Sequence, residues 1–300
     1  MGPGGARRTR QERAGLLFVS PVILATVLVL IVPTTGALLL SMTDFDIYGL
    51  ASLKFVRFVG LSNYVDLLST SLFWRAVVNT LLFTVLGVPL AIATSLGTAL
   101  LVSSRLVRWK PLWRLMLFAP YVTTLVATAV VWRYIFDART GLLNYALSLL
   151  GLAPVDWLGD PAASIPAVTL FVVWKVFGYN MLVFMAALAA VPTDLMDAAR
   201  LDGAGAWTRF RHVTLPAIGP ALLLAGVLSV ANFLQIFTEP YVMTHGGPAQ
   251  RTVTVLYFMF QEGFEWWSLG TASAVAVILF ACVLGLTAIQ IRLGRRAEWL

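Results

Sequence analysis

Six long, nearly uncharged apolar runs constrain this chain more than any other feature. They lie near 16–40, 76–102, 114–134, 165–190, 217–238 and 268–291. About 20 mostly apolar residues suffice to cross a bilayer core as a helix. Each run is continuous rather than alternating apolar with polar, which argues against barrel strands. In lipid every backbone amide needs an internal partner, and a long apolar run meets that need by coiling into a helix. The expected fold is therefore all-α, a polytopic membrane protein with six transmembrane helices. Composition points the same way: 59% of the residues are apolar and only 12% are charged. A soluble domain holds about 45–50% apolar residues and about 25% charge. A single water-facing core cannot hide that excess, so the lipid bilayer is the first partner.

The first run follows Arg7, Arg8, Arg10 and Arg13, as the apolar part of a signal peptide would. The uncharged stretch from Ala14 to Thr43 is too long for that, and no clear small-residue cleavage site follows it. It reads as an uncleaved first span. Pro21, Pro33, Pro89 and Pro120 lie inside or near span ends, where neighbouring helices re-satisfy the carbonyls they free.

Six spans return both termini to one side. The segments there are 1–15, 103–113 with Arg114, 191–216 and 292–300, and they hold fourteen of the 21 Lys and Arg. The acidic residues lean the other way, with five of 14 on this side. The positive-inside rule places that side in the cytoplasm. The net charge of +7 is thus topological and implies no nucleic-acid partner. On the outer side, 41–75 ends in an amphipathic helix, and 135–164 holds a short interfacial helix and a turn. Trp157, Trp266 and Trp267 fit an interfacial aromatic belt.

The stretch 191–216 is a cytoplasmic excursion between the fourth and fifth spans. Asp194 is expected to cap a helix beginning at Leu195. Ala198, Ala199 and Leu201 favour that helix. Gly203 and Gly205 break it and permit close backbone approach. Ala204, Trp207 and Phe210 then form an apolar stripe, and Pro216 is expected to end the unit. Two short helices at a glycine elbow suit insertion into a groove on another protein.

This stretch resembles the coupling-loop signature of permease subunits of binding-protein-dependent ABC importers. That pattern runs Glu-Ala-Ala, two variable residues, Asp-Gly-Ala, then a Phe and a Leu-Pro. Ala198, Ala199, Asp202, Gly203, Ala204, Phe210, Leu215 and Pro216 match it in register. Asp197 stands where the family usually has Glu, keeping the carboxylate on a shorter arm. Phe58 to Tyr64, Gly141 to Asn144 and Tyr241 to Pro248 resemble the carbohydrate-type branch, the maltose and glycerol-phosphate kind. In the last of these, His245 replaces the usual Gly.

The resemblance implies the type I importer permease fold. A cytoplasmic tail at 1–15 would precede a first helix and outer segment at 16–75. A core domain at 76–292, containing the coupling loop 191–216, would precede a second tail at 293–300. It also implies partners: a second, homologous but different permease chain, two cytoplasmic ATPase subunits, an extracytoplasmic solute-binding protein and a sugar-like solute. No phosphate-cradling Gly-x-x-x-x-Gly-Lys-[Ser/Thr] motif occurs here. ATP and Mg would therefore sit on the partner ATPases, with no cofactor on this chain.

Polar residues within spans are the candidate solute contacts. Tyr179 and Asn180 lie in span four. Asn232 and Gln235 lie in span five at i, i+3, on one helical face. Phe233, Phe177 and Trp174 offer rings for stacking on sugar faces. Hydrogen bonding between helices is the structural alternative for each. Lys175, alone among charges deep in a span, either snorkels or faces the interior with Glu239 as a partner. Cys282 reads as a small apolar side chain. No catalytic or metal-ligand constellation is visible, which disfavours an intramembrane enzyme. A secondary transporter would carry ionisable relays in several spans. A non-ABC polytopic protein, or a scaffold for an ATPase, is the remaining alternative.

Overall fold

A computed structural model describes residues 15, 17–52, 54, 56–104, 106–297 and 299. The arginines of the expected N-terminal tail, together with Arg105, Glu298 and Leu300, lie outside the described residues. Nine helical stretches carry the spans and the elbow. They are α1 (Leu17–Leu40), α2 (Ser71–Ser103), α3 (Lys110–Val122), α4 (Leu125–Ile135), α5 (Ser164–Ala189), α6 (Thr193–Leu201), α7 (Ala206–Ala217), α8 (Gly219–Leu234) and α9 (Leu269–Arg296). Among the described residues the sole β pairing is an isolated bridge between Thr43 and Phe58.

Helices α1, α2, α5 and α9 are each long and apolar enough to cross a membrane. The expected third and fifth spans are helical but not straight. Helices α3 and α4 meet at 99°, and α7 and α8 meet at 71°. The six expected spans correspond to these four helices and the two bent pairs, where each pair counts as one span. In the third, Pro120 removes an amide from the helical ladder. The β-branched run Val122-Thr123-Thr124 follows, and both threonines turn extended, with ψ of 155° and 130°.

Proline also explains two π-helical segments. Val27–Ile31 precedes Val32-Pro33, and Phe210–Thr214 precedes Leu215-Pro216. In each, the last amide before proline reaches back five residues, Val32 to Val27 and Leu215 to Phe210. Proline cannot donate into the ladder and crowds the preceding turn, so the helix locally widens.

Contacts divide the chain into two compact units. One comprises the described residues of Met1–Ser69 with Met259–Ile278. In it, Asn63 Nδ2 donates to the carbonyls of Ser41 and Thr43, both at 2.8 Å. The Ser41 and Tyr64 hydroxyls lie 2.7 Å apart. The amides of Val59 and Gly60 donate to the Met42 carbonyl at 2.9 and 3.1 Å. The Phe58–Tyr64 stretch therefore fastens the turn that follows α1. Gly270 sits against the same turn, where a Cβ would meet the Thr43 carbonyl oxygen at 2.2 Å.

The other unit comprises Thr70–Phe258 with the described residues of Leu279–Leu300. Helix α5 packs along α2, with α3 also on α5 and α8 on α2. Phe83, Phe171, Val172 and Phe233 are fully buried in one apolar cluster, and Met181, Phe184 and Ala225 in a second. Phe233 lies so close to α2 that a Cβ on Gly87 would come within 2.0 Å of its ring. Buried polar groups tie the segment after α8 to the start of α2. Asn79 Nδ2 donates to the carbonyls of Gln250 and Val253 at 2.9 Å, and Thr80 Oγ1 accepts from the Val255 amide at 2.9 Å. Trp299 lies against Gly219 at the α7–α8 bend, where a Cβ would meet its indole at 2.4 Å.

Candidate functional site: a glycine elbow and a polar cavity

The elbow forms between α6 and α7. Helix α6 starts at Thr193, behind Pro192 as its N-cap residue, and no side chain caps it. Asp194 therefore is not the cap expected of it. It lies in the first turn, where its charge favours the helix dipole. At the other end, the Ala204 amide donates to the Ala199 carbonyl at 2.9 Å and the Gly203 amide to the Arg200 carbonyl at 3.0 Å. This paired closure is a Schellman motif. It requires a left-handed residue between the two bonds, and Gly203 supplies it with φ of 75°. Arg209 then donates to the Ala204 carbonyl, binding α7 to the bend.

Pro216 does not end the unit. Helix α7 runs through it, and the chain turns at Ile218, with φ of −91° and ψ of 8°. The elbow thus leads into α8 through a single bend.

Asp197 pairs with Arg200 one turn on, Oδ1 to Nη1, at 2.6 Å. The rings of Trp207 and Phe210 lie 5.5 Å apart. Ala198, Asp202 and Pro216 are exposed, and Ala199 and Ala204 are partly so. Two large apolar side chains stand out: Leu201 is 89% and Trp207 70% exposed. Trp207, Phe210 and Ala206 line a groove of about 540 Å³ with Ala93, Leu96, Gly97 and Leu100 of α2.

A second feature lies within the helices. Tyr121, Val176, Tyr179, Asn180, Leu228, Ser229 and Asn232 line a cavity of about 200 Å³. Tyr121 and Tyr179 stack with ring centroids 5.0 Å apart and planes 24° from parallel. Asn180 Nδ2 donates to Ser229 Oγ at 3.1 Å, linking α5 to α8. Tyr179, Asn180 and Asn232 are thus brought together. Phe233 points to the opposite face, into the core against Gly87. Gln235 is exposed beyond the end of α8 and does not line the cavity. Trp174 packs among Trp132 and Phe171 in the core. Tyr121 and Ser229 are lining residues that the sequence reading did not name. Ser229 stands three residues before Asn232, on the same helical face, and that spacing was the available signal.

Lys175 does not snorkel and makes no direct ion pair with Glu239, although the Glu239 charge acts on it. Its ammonium donates to the Pro120 carbonyl at 2.6 Å, to the Thr123 hydroxyl at 2.8 Å and to the Thr123 carbonyl. It satisfies carbonyls that the α3–α4 break leaves open.

Outer motifs also have structural roles. Asn144 Oδ1 accepts from the Val155 amide and Trp157 Nε1 at 3.0 Å, and its Nδ2 donates to the Ala138 and Val155 carbonyls at 3.0 and 2.8 Å. Trp157, read from sequence as an interfacial anchor, is half-buried and tied into that network. His245 adopts φ of 49°, which accounts for Gly being the usual residue there.

A family model for the binding-protein-dependent transport system inner membrane component matches residues 14–299. The chain belongs to that family. As an inner membrane component it is a multi-pass membrane protein with a transport role rather than an enzymatic one. It is 31% identical over 286 residues to the trehalose/maltose transport system permease protein MalF of Thermococcus litoralis, covering 95% of each chain. It is 35% identical over 281 residues to the sn-glycerol-3-phosphate transport system permease protein UgpA of Yersinia pestis, covering 93% of each. Among solved structures, it is similar to a chain of a bacterial alginate ABC transporter in complex with an alginate pentasaccharide-bound periplasmic protein. The TM-score is 0.82 and the identity 20%, over 97% of this chain and 96% of that one. That likeness gives the inner membrane component an ABC importer permease fold.

Proposed function

We propose that the chain is the permease subunit of an ATP-driven importer for a sugar or related polyhydroxy solute. The observation that carries this reading is the glycine elbow. It exposes Leu201 and Trp207 outside any long span, and it joins α8 through one bend. An apolar knob on a rigid two-helix unit fits a groove on a partner protein. Family membership supports dependence on a binding protein. The relatives' names support the sugar class.

In this reading the partners are a second permease chain, two cytoplasmic ATPase subunits that hold ATP and Mg, and an extracytoplasmic solute-binding protein. The bias of Lys and Arg toward 191–216 and the terminal segments supports a cytoplasmic elbow and cytoplasmic termini. ATP binding closes the ATPases and draws the elbow with them. The 71° bend at Ile218 passes that displacement to α8, while α6 passes it to α5. Both helices carry cavity residues, so the cavity changes shape as the elbow moves. Its 200 Å³ is below the range of about 300–1,000 Å³ usual for small-molecule pockets. That suits half of a pathway, completed by the second permease.

Reconstitution of the whole complex with Gly203→Pro tests the coupling role. Proline cannot adopt the φ of 75° at Gly203, so the elbow must change. Loss of solute-stimulated ATP hydrolysis and of uptake is expected. Normal hydrolysis with normal uptake would remove the elbow from the mechanism.

A further inference from the structure

A lysine buried in a membrane helix is costly unless every donor is used. Lys175 is 7% exposed, and its three ammonium hydrogens meet three acceptors, the carbonyls of Pro120 and Thr123 and the Thr123 hydroxyl. These acceptors are open because the third span breaks there, with Thr123 and Thr124 extended. Lys175, Gly178 and Tyr179 share one face of α5 at i, i+3 and i+4. All three meet the end of α3. Gly178 admits the Leu117 carbonyl, which a Cβ would approach to 2.2 Å, and Tyr179 stacks on Tyr121. Tyr121 and Tyr179 then form one wall of the polar cavity.

We propose that Lys175 is a positioning residue that pins the break in the third span, so that Tyr121 stays against Tyr179 as a wall of the solute cavity. The proposal rests on the reading of that cavity as part of the solute path. Lys175 does not line the cavity itself; it acts through Tyr121. Without the cation, the Thr123 carbonyl loses its donor in an apolar setting, and the Pro120 carbonyl keeps only the Thr123 hydroxyl. The break then either draws in water or straightens, and each route carries Tyr121 off Tyr179.

Cys282 is the only cysteine in the chain, so Cys282→Ser leaves a cysteine-free background for Tyr121→Cys. The assembled complex is treated with a methanethiosulfonate reagent, and the labelling rate of this chain is read in the absence of solute. Lys175→Met is expected to raise the rate about tenfold, as loss of hydrogen bonds to a charged group implies. Lys175→Arg, which keeps the charge on a larger planar head, is expected to label between the parent and the Met variant. If Lys175→Met does not assemble, Thr123→Val, which removes the hydroxyl that accepts from Lys175 and donates to the Pro120 carbonyl at 2.7 Å, is expected to raise the rate about threefold. Unchanged labelling in an assembled Lys175→Met or Thr123→Val complex overturns the proposal, as does equal labelling in the Met and Arg variants. Solute uptake is measured separately with Tyr121 intact. A rise in labelling with no change in uptake KM keeps the positioning role and rejects the cavity as a solute path.

Discussion

The amide of Ala204 reaches back to the carbonyl of Ala199 at 2.9 Å, and Gly203 between them holds φ of 75°. Space does not demand glycine there, because nothing lies within 4 Å of where its Cβ would be. The backbone demands it. Asn enters the left-handed region at modest cost, whereas Val and Pro do not. Gly203→Asn should therefore keep most of the transport rate, and Gly203→Val should cut it about tenfold or more, since a strained backbone costs about 1–3 kcal/mol. Parallel uptake and ATPase assays on reconstituted complex decide this; equal behaviour of the two variants would contradict it.

Asn232 and Gln235 should separate. Only Asn232 lines the cavity with Tyr179 and Asn180. Loss of one polar contact costs about 1 kcal/mol, so Asn232→Ala should weaken apparent solute affinity about fivefold. Gln235→Ala should leave it near the parent value. Uptake kinetics over a range of solute concentrations measure both, and a larger effect at Gln235 would displace the proposed path.

Gly87 and Phe233 should behave as a pair. A Cβ at Gly87 would stand 2.0 Å from the Phe233 ring. Overpacking of this kind costs about 1–3 kcal/mol. Gly87→Ala should lower the melting temperature of the purified complex, and adding Phe233→Leu should recover part of the loss. Additive losses in the double variant would show that the two do not share that space.

How much of this was open to the sequence differs by element. The apolar runs announce all six membrane stretches, because length and continuity alone carry that signal. Gly203 announces the elbow, since a glycine after Ala-Ala-Arg-Leu-Asp is a local stop. The α3–α4 break is less visible. Pro120 hints at it, but its acceptors are satisfied by Lys175 from 52 residues away in α5, a contact that no local pattern encodes. Phe233 was read as a solute contact and is core, because α8 is apolar on nearly every side and its faces cannot be ranked from residue types. Gln235 shares a face with Asn232 only if the helix continues, and α8 ends at Leu234. Pro216 looked like a terminus; a π-helical segment absorbs it instead.

The Asn144 network yields a stability test outside the spans. Asn144→Leu leaves the Val155 amide, Trp157 Nε1 and two carbonyls without that partner. Unpaired buried groups cost about 1–3 kcal/mol each. Limited proteolysis in the segment 150–160 should speed up about tenfold or more, at about 1.4 kcal/mol per decade. Unchanged cutting would mean that the segment is held by other contacts.

Asp137 supplies a pH dependence. The amide of Thr140, then that of Arg139 and the Thr140 hydroxyl, donate to its Oδ1 and hold its carboxyl below its ordinary value. A carboxyl depressed in the folded state stabilises the turn above its unfolded pKa, about 3.9, and that contribution is lost as pH falls through the folded value. Exchange protection of the Arg139 and Thr140 amides, corrected for intrinsic rates, should be level above about pH 5 and decline below about pH 4. Asp137→Asn should flatten that decline, and a decline that persists in the variant would assign it elsewhere.

The seat of Trp299 on Gly219 has a practical bearing on any work with the purified protein. That contact sits at the bend through which the elbow continues into α8. An affinity tag fused beside Trp299 would load the joint on which the proposed coupling depends. Rates from such fusions describe a burdened joint until the tag is cleaved.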